Sequence, residues 1–118
     1  MAKGLGLVLL SMLAIYTGFC GVLYAMQRHL LYYPTPKVER NDAEAIYLSN
    51  DLARIKVWKA GGENRHAVIY FGGNAEQVAR KIPFFKQHLS GYDLYLMNYR
   101  GYGGSTGSPS ETALYLDA

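Results

Sequence analysis

The sequence predicts an α/β protein: an N-terminal helix long enough to cross a membrane, then a sheet of about four strands. Three observations carry that expectation. Residues 5–26 hold no charged side chain. Two apolar runs, HAVIYF and YDLYLMNY, flank a stretch of helical periodicity. The final SPSETALYLDA opens with helix-start signals. One complete connecting helix region and the start of a second are therefore expected.

The apolar run is LGLVLLSMLAIYTGFCGVLYAM, Leu5–Met26. At about 1.5 Å per residue it makes a helix of roughly 33 Å, against about 30 Å of bilayer hydrocarbon. A buried core helix and a secretory signal peptide compete with the anchor reading. A signal peptide has an apolar region of about 7–15 residues and a small-residue cleavage site. This run is longer, YAMQRH contains no A-x-A pattern, and Phe19 before Cys20 is too bulky for a lipid-modified cysteine. The reading is an uncleaved single-pass anchor within residues 1–26, with the lipid bilayer as partner. Lys3 lies before it and Arg28, Lys37 and Arg40 after it, diluted by Glu39. This balance leans only slightly towards a cytoplasmic C-terminal side. A lone cysteine within the apolar run allows no intrachain disulfide.

Residues 27–43 read as a juxtamembrane linker. Tyr32 and Tyr33 suit the membrane–water interface, and Pro34 and Pro36 favour extended backbone. AIYL is a short strand. ARIKVWKA alternates, with Ile55 and Val57 on one face and Lys56 and Trp58 on the other. GGEN, at 61–64, is a turn. HAVIYF is nearly continuous in apolar character, as a strand buried on both faces would be. In the next stretch Asn74 is the expected helix N-cap, with Gln77 completing a capping box. Val78, Ile82, Phe85 and Leu89 recur at helical spacing. Pro83 interrupts or restarts the helix, and Gly91 closes it. YDLYLMNY is the fourth strand. Ser108 then caps a helix with Pro109 in its first position and Glu111 in its capping box. Strand–helix–strand order with apolar strands implies a parallel sheet.

The chain is half hydrophobic with a net charge of +3. Its basic residues are scattered and carry no interleaved aromatics, which argues against a nucleic-acid partner. The glycine loop NYRGYGGSTGSPSE invites three motif readings. A dinucleotide fingerprint from Gly101 requires glycine where Thr106 stands, and no G-K-[ST] exists for a phosphate loop. GGSTG, Gly103–Gly107, matches G-x-S-x-G, but a nucleophile elbow places its serine directly between strand and helix. Here Ser105 sits six residues beyond Tyr99 and four before Pro109. His29, His66 and His88 lack a serine–carboxylate partnership and metal-ligand spacing, so no metal or cofactor is expected. FGGNA is different. Gly72 and Gly73 let the chain turn tightly after a buried strand, and the N–H groups that follow can face the strand's carboxyl end. That is either an anion or oxyanion site or an ordinary glycine-rich turn.

These residues together resemble the membrane-anchored serine-hydrolase branch of the α/β-hydrolase superfamily. The resemblance covers nearly the whole chain: the anchor, QRHLLYYPTP, VIYFGGNAE and GYDLYLMNYRGYGGSTGSPSE. It implies that residues 44–118 are the first half of an α/β-hydrolase domain. It also implies that FGGNA is the oxyanion turn, with Asn74 as backbone N–H donor and Gly72 and Gly73 supporting it. Gly72 stands where many members have histidine. By the resemblance RGYGGSTGS is a structural loop, and nucleophile, acid and catalytic histidine all follow residue 118. The parent activity implied is cleavage of an ester, thioester or amide through an acyl-enzyme, with this chain alone inactive. In the family's strand order the third strand lies between the fourth and fifth, so HAVIYF is expected as a bare sheet edge. The alternatives are a non-enzymatic half-domain that pairs with a protein partner at that edge, and a truncated gene product without function.

Overall fold

The computed structural model describes residues 2–50 and 52–118. It divides into two compact units, the segment up to Leu31 and the segment Tyr32–Ala118. The first is one helix, α1 (Ala2–Leu31). It is long and apolar enough to cross a membrane, and none of its most apolar span is buried within the chain. Ser11 and Thr17 return their hydroxyl protons to Leu7 and Leu13 carbonyls at 2.9 Å, so neither leaves an unsatisfied polar group on the apolar surface.

The second unit is an α/β sheet. Its elements are β1 (Glu44–Asn50), β2 (Ala53–Ala60), β3 (Ala67–Phe71), a 3-10 turn (Val78–Lys81), α2 (Ile82–His88), β4 (Asp93–Met97) and α3 (Glu111–Asp117). The strand order is β1-β2-β4-β3. The sheet is mixed, not wholly parallel. β1 and β2 pair antiparallel from Glu44–Lys59 to Asn50–Ala53, because a two-residue connection can only reverse the chain. β2 and β4 are also antiparallel. Only β3 and β4 run parallel, from Ala67–Asp93 to Phe71–Met97. Theirs is the one connection long enough to cross over, and it carries α2.

Alternation along β2 divides the core. Trp58 and Ala60 join Leu94 and Leu96 on one face, beneath Val78, Ala79 and Ile82, with Phe85 and Leu89 at the margin. The four positions expected at helical spacing thus pack together, although the helix is broken between them. Ala53, Ile55, Val57 and Met97 form a second cluster on the other face. β3 is one of the two edge strands, with β1 at the other side, and its residues Ile69 and Phe71 are 64% and 41% exposed.

Three local expectations are corrected. Asn74 does not cap a helix. Its side-chain oxygen is held by other segments, Ala75 turns left-handed, and helical structure starts only after Gln77. Pro83 then sits in the first turn of α2, where its missing N–H costs nothing. Gly91 is not the residue closing α2, which ends at His88 with Leu89 as its C-cap. The last helix is capped by Ser110, not Ser108: the Ser110 hydroxyl accepts the Ala113 N–H at 3.3 Å.

Leu94 is 1% exposed and central to the larger cluster. Leu94→Ala is expected to lower the unfolding free energy by about 3 kcal/mol. A urea titration in detergent, followed by the fluorescence of Trp58, measures this; the sequence has one tryptophan.

Candidate functional site

The carboxyl ends of β3 and β4 emerge side by side, as their parallel register requires. From β3 the chain enters the turn Gly72–Glu76. A Cβ on Gly72 would lie 2.4 Å from Val78 Cγ1, so no side chain fits here without moving the buried Val78. The Glu76 N–H donates to the Gly73 carbonyl at 3.1 Å. Ala75, third in this β-turn, has φ of 61°, which costs an L-residue about 1–2 kcal/mol. The Glu76 carboxylate closes the turn from the side. It accepts the Gly73 N–H at 2.7 Å and the Tyr70 hydroxyl at 2.9 Å, with Lys81 Nζ 3.8 Å away. The Gly73 N–H is the chief cause holding the Glu76 carboxyl below its usual range.

Asn74 stands at the head of the turn. Its Oδ1 accepts the Tyr102 hydroxyl at 2.9 Å and the Tyr33 main-chain N–H at 3.2 Å. The same N–H lies 3.1 Å from the Tyr102 hydroxyl oxygen. Three segments meet here: the strap of residues 32–43, the turn after β3 and the loop after β4. The strap lies along the unit through its main chain. The Gly103 N–H donates to the Thr35 carbonyl at 2.9 Å, and Gln77 Nε2 to the Pro36 carbonyl at 2.7 Å. Lys56 Nζ donates to the Val38 carbonyl at 3.0 Å, and Arg40 to the Ala79 carbonyl at 3.0 Å. The Lys56 side chain is wholly buried, 4.0 Å over the Trp58 ring and 3.8 Å from Glu39. Burial pulls its pKa down.

The glycine loop bends back onto β2 beyond the point where β4 leaves it. The Asn98 N–H donates to the Lys56 carbonyl, and Thr106 exchanges bonds with Arg54. Gly103 must be glycine: its φ is +55°, and a Cβ would fall 1.9 Å from Asn98 Oδ1. Ser105 is buried at 8% exposure. Its hydroxyl accepts the Lys56 N–H and donates to the Asn98 carbonyl, both at 2.9 Å. Arg100 grips the buried Asp117 carboxylate through Nε and Nη2, and Asn50 adds a third bond at 2.9 Å. The guanidinium holds the Asp117 carboxyl below its usual range. Beside these loops a cleft of about 400 Å³ is lined by Tyr32, Phe71, Tyr99, Leu114 and Tyr115.

No family model matches the chain, and no solved structure matches it. Curated proteins do. Protein bem46 of Schizosaccharomyces pombe is 30% identical over 92% of this chain and 42% of its own length. The alpha/beta hydrolase domain-containing protein WAV2 of Arabidopsis thaliana is 29% identical over 89% of the chain and 42% of its own. Over most of its length the chain is thus similar to bem46 and to an α/β-hydrolase domain-containing protein, which supports a bem46-like α/β-hydrolase branch. An uncharacterized membrane protein of Saccharomyces cerevisiae is 30% identical over 96% of the chain and 43% of its own length. The chain spans about two fifths of the length of these relatives.

Gly72, Gly73 and Asn74 lie together in one turn at the carboxyl end of β3, whereas Ser105 is bonded into the backbone between β2 and β4. His66 precedes β3, and His88 stacks on Phe84 in α2 with centroids 4.3 Å apart. Among the described residues no group of His, Cys, Asp and Glu could hold a metal ion. Sequence reasoning missed Glu76 and Tyr102. Glu76 stands three residues after the Gly73 N–H it accepts, a spacing visible in GNAE. Tyr102 carries no local signal, because its partner is 28 residues away.

Two measurements check this geometry. Ala75→Gly relieves the left-handed alanine and is expected to raise stability by about 1 kcal/mol, read as a higher Tm. Glu76 and Asp117 both have depressed folded-state pKa values, so their contribution is present above the unfolded carboxylate range. Stability is therefore expected to fall as pH drops below about 4, through the depressed values. Glu76→Gln flattens part of that acid limb in a denaturation series across pH.

Proposed function

We propose that this chain supplies the membrane anchor and the oxyanion turn of a serine hydrolase that cleaves an ester, thioester or amide through an acyl-enzyme. The observation that carries the reading is the turn Gly72–Glu76, fastened at the carboxyl end of a parallel strand beside an open, largely apolar cleft. In open α/β sheets, ligands bind beyond the carboxyl ends of the strands. An oxyanion hole needs backbone N–H groups fixed before charge develops on the acyl oxygen. The Asn74 N–H takes that role, supported by Gly72 and Gly73. The apolar helix α1 takes the role of single-pass anchor.

In this reading the nucleophile, its histidine and its carboxylate belong to sequence outside residues 1–118. Ser105 is not the nucleophile: its hydroxyl is buried and bonded to backbone on both sides, with no histidine among its partners. The 118-residue chain is accordingly silent as a catalyst. A fluorophosphonate probe tests both halves. It is expected to label the native membrane-extracted protein on a serine outside these residues, and to leave the purified 118-residue chain unlabelled. Labelling of Ser105, or no labelling of the native protein, sinks the proposal.

A second reading has its own observation. β3 ends the sheet with no strand beyond it and carries the 64% exposed Ile69, and an uncovered apolar edge strand is a template for another strand. In this reading the chain is a non-enzymatic half-domain, and a separate protein adds to β3. Stoichiometric co-purification of one partner with an unlabelled native protein favours it over the hydrolase.

A further inference from the structure

Oxyanion donors act only when aimed. Holding a site within about 0.5 Å of its working geometry takes neighbours that lock it. The turn Gly72–Glu76 is poorly suited to lock itself. It begins with two glycines and includes an alanine in the left-handed region. Glu76 fastens the Gly73 end. The Asn74 end is fastened from outside, by groups that arrive from two other segments.

We infer that the Tyr102 hydroxyl and the Tyr33 main-chain N–H are positioning groups for the oxyanion turn, clamping the Asn74 side chain so that its backbone N–H keeps its aim. The inference rests on the hydrolase reading above. Its geometry is consistent in donors and acceptors. Tyr102 has one hydroxyl proton, donated to Asn74 Oδ1 at 2.9 Å. Its oxygen then faces the Tyr33 N–H at 3.1 Å, and the same N–H reaches Asn74 Oδ1 at 3.2 Å. An amide oxygen has two acceptor positions, so Oδ1 can take both donors. Tyr102 is 4% exposed, and water competes little for its bond.

The clamp gives the glycine loop a task. Tyr102 is delivered by the turn in which its own N–H bonds the Tyr99 carbonyl and the Ser105 N–H bonds the Tyr102 carbonyl, both at 2.8 Å. Ser105 in turn is bonded to β2 and β4. A continuous hydrogen-bonded path therefore runs from the sheet centre through Ser105 and Tyr102 to Asn74. The Gly103 N–H bonds the Thr35 carbonyl, fixing the strap that presents Tyr33.

Two readouts test the clamp separately from the chemistry. The first is amide hydrogen exchange of the full chain in lipid nanodiscs. Tyr102→Phe is expected to raise exchange across residues 72–76 by about tenfold, while β2 and β4 amides stay at the wild-type rate. Asn74→Ala, which keeps the backbone N–H, is expected to do the same, and the double variant to add nothing further. Unchanged exchange in the turn, or a uniform rise throughout the unit, overturns the clamp. If Tyr102→Phe does not fold, Asn74→Ala carries the same test from the exposed side.

The second readout is hydrolysis of p-nitrophenyl acetate by the native membrane-extracted protein. An effect confined to the transition state lowers kcat and leaves KM. Tyr102→Phe is expected to lower kcat about tenfold with KM within about twofold. A raised KM at unchanged kcat overturns the positioning role. Absence of turnover in the wild type, with the exchange result intact, refutes the hydrolase reading and the catalytic half of the inference, leaving the clamp as a fastening alone.

Discussion

The parallel ladder between β3 and β4 is the constraint on which the rest depends. Parallel strands bring their carboxyl ends out on the same side. Val68–Leu94 and Tyr70–Leu96 lie in register on the face covered by α2. Two chain segments with nothing in common locally, the turn after Phe71 and the glycine loop after Met97, therefore emerge as neighbours. In an antiparallel pairing Asn74 and Tyr102 would lie at opposite ends of the sheet. The crossover that permits the ladder also supplies Val78, Ala79 and Ile82 to the larger core cluster, so the same connection closes the core and sets the candidate site.

Around that ladder several buried polar side chains act as fasteners with defined partners. Ser105 bridges β2 and β4. Arg100 and Asp117 tie the glycine loop to the last helix. Lys56 donates to the strap carbonyl at Val38 and sets its ammonium over the Trp58 ring. A buried amine would be costly without such partners. Its carbonyl acceptor, the nearby Glu39 carboxylate and the face of an indole ring together offset that cost. The strap is the outer wall of this part of the core, with Val38 packed against the larger cluster.

Much of this was legible in the sequence where the cause is local. Alternation in ARIKVWKA and the turn residues around it mark β2 to the residue. The apolar stretches around β3 and β4 mark those strands, and the spacing of Val78, Ile82, Phe85 and Leu89 marks the side that packs on the sheet. What was not legible depends on distant partners. Strand direction follows from which strands become neighbours, so the mixed sheet could not be read from apolar strands alone. Asn74 has the chemistry of a cap. Its oxygen goes instead to Tyr102 and Tyr33, 28 and 41 residues away. Ser108 and Ser110 are equally good caps in composition, and only the conformation of the loop before them decides for Ser110. In the candidate site the two glycines announced a turn, whereas the groups that steady it had no signature.

The strap has a mechanical consequence. Its bonds lie in chain order: Tyr33 to Asn74 and Tyr102, then Thr35 to Gly103, Pro36 to Gln77, Val38 to Lys56 and Arg40 to Ala79. These bonds fasten the strap in sequence order, so those nearest Tyr33 are the first along the chain after residue 31. The first to feel a load on the strap is the one at Asn74. The turn would slacken under tension that leaves the sheet intact, because the wholly buried Lys56 holds the line further along.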